Sequence, residues 1–304
     1  MISAKQIFRA GGSVEAASAH LGLLHNLPGH WVGKGFNLIA RPARQGVPTN
    51  PPLFLQLNGT HETLEFTRIG GDIPNRGDVE PTILLHGIHY LQTVIDCATS
   101  SAIHKEPGLW LHVPKTTENT SDTYVRQATI PHGDSLVSQS SFFTTVASGP
   151  KIAPVDSFPF PIEDPIPDLN DVVHPVSTDA DDLEPYLNSP LPDDCLPKGL
   201  DAKKTIRDPT EVLRAQILNQ TITETVVISI STAKVQFGGI VNIPFVVGNA
   251  NAKQMDAIFW IEKVQNPSFP DREFMQLQYV QRVILDFAGD HWPHISVATL
   301  VKAA

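Results

Sequence analysis

The chain is 304 residues long and sets 22 Lys and Arg against 32 Asp and Glu, a net charge of −10 with neutral histidines. An apolar fraction of 41%, with 14 Phe and 4 Trp, can bury a sizeable core and argues against a largely disordered chain. An acidic balance with no basic tract removes the electrostatic footprint of a nucleic-acid binder. Met1 to Gly12 has no leader-like apolar region and no run of about 18 apolar residues occurs, so neither secretion nor a membrane span is expected. Cys97 and Cys195 are too few for a disulfide framework or a four-cysteine metal site, which makes the cytoplasm the expected compartment.

In chain order, Ser13 can cap a short helix over Val14 to Leu21 that ends at Gly22. Period-two alternation then dominates. Strands are expected over Trp31 to Ala40, Leu53 to Leu57, Ile88 to Ile95, Leu109 to Val113, Thr123 to Ile130 and Ser135 to Thr144. Between these, Glu62, Leu64 and Phe66 share one strand face, with Thr63, Glu65 and Thr67 opposite. Asp208 and Pro209 set the start of a second helix over Thr210 to Asn219. Further strands follow over Thr221 to Thr232, Gln236 to Val247, Ala257 to Val264, Phe274 to Phe287 and His294 to Lys302. About ten or more strands at these spacings suit an all-β antiparallel barrel or sandwich within a single domain spanning 1–304.

The 150–208 stretch differs in kind. From Pro150 to Pro197 it holds 11 of the 26 prolines and 11 acidic residues against one lysine, so ladder pairing is disfavoured. Phe158, Phe160, Ile162, Ile166, Leu169, Val172, Val173, Tyr186, Leu187 and Leu191 give it more apolar content than a solvated tether needs. Two readings stand: an ordered strap packed over the barrel, or a mobile linker.

Three features bear on function. In LPGHWVGKGF, Gly29, Trp31, Gly33 and Gly35 recur at two-residue spacing on one strand face. Glycines there allow another backbone or a flat ligand to approach closely, and the indole can plug one end of a barrel. IHKEPG contains His104, and IPHG places His132 in a turn. In HISVATLVK, His294 shares a face with the small residues Ser296 and Ala298, leaving room beside a neutral imidazole, the usual metal or haem ligand. His86 and His89, three apart on a strand, point oppositely and make a poor metal pair; His25 and His30 flank a Pro-Gly turn expected at a barrel mouth. No nucleophile elbow, phosphate loop or dinucleotide fingerprint is present.

Together these motifs resemble the nitrobindin-like, haem-binding β-barrels of the calycin superfamily, over about 27–146 and 273–302. The resemblance implies a lipocalin-like barrel, haem held through His294 as proximal ligand, and Trp31, Gly33, Gly35, Phe36, His104 and His132 around the cofactor. It also implies handling of nitric oxide, peroxynitrite or peroxide, with turnover as an isomerase or peroxidase left open. The sequence departs from the family pattern at Asn37, where a glycine is usual, and at Leu111, where an arginine is usual, and about 125 residues separate the two matching regions. Two other functions therefore stand beside haem binding: a carrier of another hydrophobic small molecule, and a filled barrel acting as an interaction module.

Overall fold

The computed structural model describes residues 20–42, 53–78, 82–169, 187–192, 195–233 and 238–303. Thirteen strands occur among the described residues: β1 (Gly29–Pro42), β2 (Leu53–Arg68), β3 (Ile73–Asn75), β4 (Ile83–Asp96), β5 (Ala102–Val113), β6 (Thr123–Ile130), β7 (Asp134–Val146), β8 (Phe160–Pro161), β9 (Ile222–Ser231), β10 (Gly239–Asn242), β11 (Asn251–Asn266), β12 (Phe269–Phe287) and β13 (Asp290–Lys302). The order β1-β2-β4-β5-β6-β7-β9-β11-β12-β13 closes on itself through antiparallel β1–β13 pairing, from Trp31 opposite Lys302 to Leu38 opposite Ile295. The expected barrel is thus a closed antiparallel cylinder of ten strands, with β3, β8 and β10 as short outer additions. Closure removes the exposed edges that an open sheet of this size presents.

Most expected strands are present and longer at their ends. The exception lies at Gln236 to Val247: β10 covers Gly239–Asn242, and Pro244–Val247 is a short helix, α3. Proline at the first helical turn fixes the helical φ and ends the ladder. The helix expected over Val14 to Leu21 falls almost wholly outside the described residues. Residues Gly22–Asn26 form a 3-10 turn. The helix beginning after Pro209 is α2, Glu211–Ile217, and its first turn is tied by the Thr210 amide donating to Asp208 Oδ1 at 3.1 Å. Preceding it is α1, Ala202–Arg207, capped by Asp201, whose Oδ1 accepts from the Lys204 amide at 2.9 Å.

Alternation sorts the barrel into two apolar volumes. Inside lie Trp31, Leu64, Phe66, Tyr90, Trp110, Tyr124, Ile228, Phe259 and Leu300. On the outside of β1, β11, β12 and β13, Phe36, Leu38, Trp260, Val280, Ile295 and Val297 are covered by Val155, Phe158 and Leu169 of the proline-rich stretch and by Ile206, Val212 and Leu213 of α1 and α2. A buried ion pair adds to this cover: Arg282 donates to Asp256 Oδ2 at 2.8 Å and to the Pro167 carbonyl at 2.5 Å. Val172, Val173 and Tyr186 lie outside the described residues. Cys97, in the β4–β5 turn, and Cys195, before α1, are bonded as a disulfide across 98 residues, a pairing the sequence reading did not anticipate.

Candidate functional site

The two ends of the barrel differ. One end is shut: Leu24 and Leu27 from the 3-10 turn pack into the interior, and the Trp31 indole donates to the Leu27 carbonyl at 2.7 Å. Trp31 is therefore the plug of this end and stands away from the histidines. The glycines on its face serve strand approach. A Cβ on Gly33 would lie 2.0 Å from the Thr299 carbonyl, and one on Gly35 would meet the Val297 carbonyl at 2.4 Å and Glu62 Oε1 at 2.7 Å. Phe36 takes the opposite face and is fully buried under the strap, so it lines no part of the interior.

Aromatic side chains fill the middle of the barrel. Trp110 meets Phe259 edge-on at 5.0 Å, and Phe259 lies 5.7 Å from Tyr279. A cavity of about 10 Å³ remains between Phe66, Tyr90, Trp110, Arg126, Phe259 and Tyr279, room for about one water molecule.

Above this layer the interior turns polar. Glu106 accepts from Tyr90 Oη and from Arg126 Nη2, and His104 Nε2 lies 3.3 Å from its other oxygen. Arg126 also donates from Nε to Tyr90 Oη at 2.8 Å and from Nη1 to Gln281 at 2.7 Å, with its guanidinium 5.5 Å from the Phe259 ring centre. Burial pushes the Glu106 carboxyl up, but the Arg126 charge with the His104 and Tyr90 bonds outweighs it and holds the group at about 2. Glu106 is thus a fixed anion paired with a fixed cation. Arg126 stands opposite Trp110 in the β5–β6 register, while Leu111 faces outward into a small cluster with Leu85 and Val125.

Glu62 is a second buried carboxyl inside the barrel. It accepts from Tyr279 Oη at 2.5 Å, from Thr60 at 2.9 Å and from Gln92 at 3.2 Å. Burial raises its pKa, and the three hydrogen bonds offset only part of that rise. Two carboxyls in one barrel are therefore held at different proton affinities, one by a cation and the other by neutral donors.

At the opposite end stand three histidines. His294, on β13, points inward; its Nε2–H donates to Asn37 Oδ1 at 2.8 Å, an oxygen that also accepts from Ser296 at 2.9 Å. This arrangement fixes the tautomer with the proton on Nε2, and Nδ1 has no hydrogen-bond partner among the described residues. Burial, reinforced by His104 and His132, lowers the His294 pKa to about 3, so the ring is neutral across the physiological range. The His104 and His132 rings meet edge-on at 5.7 Å, and His132 lies 3.4 Å from Asp134 in the β6–β7 turn. Of the seven residues singled out in the sequence, His294, His104 and His132 gather at this end, whereas Trp31 and Phe36 stand elsewhere.

Beside His132 the rim is apolar. The Ile243 amide donates to the Gly133 carbonyl at 2.9 Å, which seats β10 and α3 on the turn, and Val241, Ile243, Phe245 and Val247 are 73%, 49%, 74% and 52% exposed. His86 is instead stacked on His20 at 4.7 Å, apart from His89. Met255 is buried in the interior and Met275 packs at its edge.

No protein-family model matches the chain, and no curated protein matches it. Among solved structures, the crystal structure of Rv2717c from M. tuberculosis is similar at 12% identity and a TM-score of 0.44, covering 94% of this chain and 98% of that one. Among the described residues, no helix is long and apolar enough to cross a membrane.

Proposed function

We propose that the His294 end of the barrel binds a hydrophobic small molecule, with haem as the first candidate and His294 as the residue that holds its iron. The observation that carries this reading is the inward-facing His294 ring: it is neutral, oriented by Asn37, and keeps one nitrogen lone pair available. A metal or haem iron needs a neutral imidazole, and an outer hydrogen bond that fixes its orientation strengthens such a ligand. A neutral, oriented imidazole is the kind of donor that a haem iron takes. The cavity between Phe66, Trp110 and Tyr279 has room for about one water, which favours a site for a larger ligand at the His294 end, above Glu62 and Glu106. There, the exposed apolar lip of Val241, Ile243 and Phe245 suits the body of a flat hydrophobic ligand, and His104 and His132 offer polar contacts to its edge.

Haem held there by His294 would supply an iron able to bind nitric oxide or a peroxide. The chain's own residues hold the ring, keep His294 unprotonated and bring the two rim histidines near the open face. The ordered motifs that resemble nitrobindin-like barrels support the same reading. The apolar lip also favours a second reading, in which the ligand is a lipid-like metabolite and His294 only a polar contact. Titration of the purified protein with haemin, followed by tryptophan fluorescence, separates them. One-to-one binding weakened at least tenfold by His294→Ala supports ligation. Equal binding by the variant leaves the lipid-like reading, and no binding of haemin or of a fatty acid leaves a filled barrel.

A further inference from the structure

Outside the barrel, at the same end, three side chains converge that the rim site does not use. His61 lies on the outward face of β2, opposite Ile95 of β4; Cys97 follows β4; Cys195 precedes α1. A ring nitrogen of His61 and the two sulfurs all lie within 4.8 Å of one another. The geometry points to a redox-gated metal site: with the disulfide reduced, Cys97, Cys195 and His61 bind Zn²⁺, so that disulfide and metal are alternative staples between the barrel and the segment leading to α1.

The three positions are set by structure that does not depend on the S–S bond. The Cys97 amide donates to the Gly59 carbonyl at 2.9 Å, and the Asp96 carboxylate accepts from Thr99 at 2.7 Å, which fixes the turn that carries the thiol. On the other side, Leu196 and Leu200 pack against the outer apolar cluster and hold Cys195 in place. His61 is in the middle of a paired strand and exposed to solvent, so an incoming ion has access. Two thiolates and one imidazole are a usual Zn²⁺ donor set, and a water can complete four-coordination.

Chemically, a dithiol reductant donates two electrons and two protons to the S–S bond, giving two thiols while the reductant becomes a disulfide. Zn²⁺ then displaces the two thiol protons to solvent and takes the neutral His61 nitrogen as third ligand.

The test uses Co²⁺ as the spectroscopic probe on the full chain, reduced with excess dithiol, freed of reductant without air, and checked for fold by circular dichroism. The expected result is one Co²⁺ per chain with intense thiolate-to-cobalt charge-transfer bands that Zn²⁺ displaces. The oxidised protein should show no such bands, Cys97→Ser should abolish them, and His61→Ala should weaken binding at least tenfold without changing the unfolding midpoint. Folded, reduced protein that gives no thiolate–cobalt bands overturns the proposal, as does His61→Ala with unchanged affinity. Loss of the fold on reduction overturns it too, since the three positions would then depend on the disulfide.

Discussion

Glu262, on the outer face of β11, offers a sharp test of the electrostatics. Its side chain is fully buried; Oε2 accepts from Gln276 at 2.6 Å, while Oε1 has no hydrogen-bond partner among the described residues. Burial raises its pKa from 4.5 to about 7, and the single Gln276 bond opposes the rise. Because the folded-state value is raised, its contribution is fully present below about pH 4.5, where both states are protonated. It is lost as pH rises through about 7, since the unfolded chain ionises first. At about 1.4 kcal/mol for each tenfold change in the proton equilibrium, the loss amounts to about 3 kcal/mol. Glu262→Gln keeps the shape and cannot ionise. Urea unfolding at pH 4.5, 6 and 8 should therefore show little difference between variant and parent at pH 4.5 and a gain of about 3 kcal/mol for the variant at pH 8. A difference that stays constant across this range, or a variant less stable at pH 8, refutes the assigned proton affinity.

The remaining predictions concern packing and cross-links. Arg126→Met leaves Glu106 buried without its arginine, and should lower stability by about 3–5 kcal/mol at neutral pH, read from the urea midpoint. Gly33→Ala places a methyl on the Thr299 carbonyl and must part β1 from β13; a loss of about 1–3 kcal/mol or more is expected, with amide exchange fastest along that seam. Replacing both cysteines by serine should cost about 2–4 kcal/mol under oxidising conditions and nothing when a reductant is present, as the closed loop of 98 residues implies.

Much of the barrel was legible because its strands alternate cleanly. The pattern at Glu62, Leu64 and Phe66 even carried the site's signal, since a glutamate on an apolar face must find donors inside. Arg126, on the face of Tyr124 and Ala128, is a second instance. Their partners were not legible: Glu62 meets Tyr279 across 217 residues, and no local pattern specifies a contact of that range. Asn37 read as a departure from the motif, yet its amide orients His294, so the substitution lies within the site. Phe36 and Trp31 were grouped with the histidines by the motif resemblance alone. Alternation sends Phe36 outward, and the length of β1 carries Trp31 to the far end. The end of the stretch read as a strand to Val247 turned helical because Pro244 ends the ladder, and the Cys97–Cys195 link depends on how the segment before α1 folds back over the barrel.

The central claim is that His294 is the ligand-holding residue of the rim. The most direct measurement is the absorption spectrum of the protein loaded with one equivalent of haemin, recorded beside His294→Ala and His104→Ala. A Soret band typical of histidine-ligated iron in the parent and in His104→Ala, absent from His294→Ala, is the predicted result. The same band in His294→Ala, or none in any of the three, contradicts it.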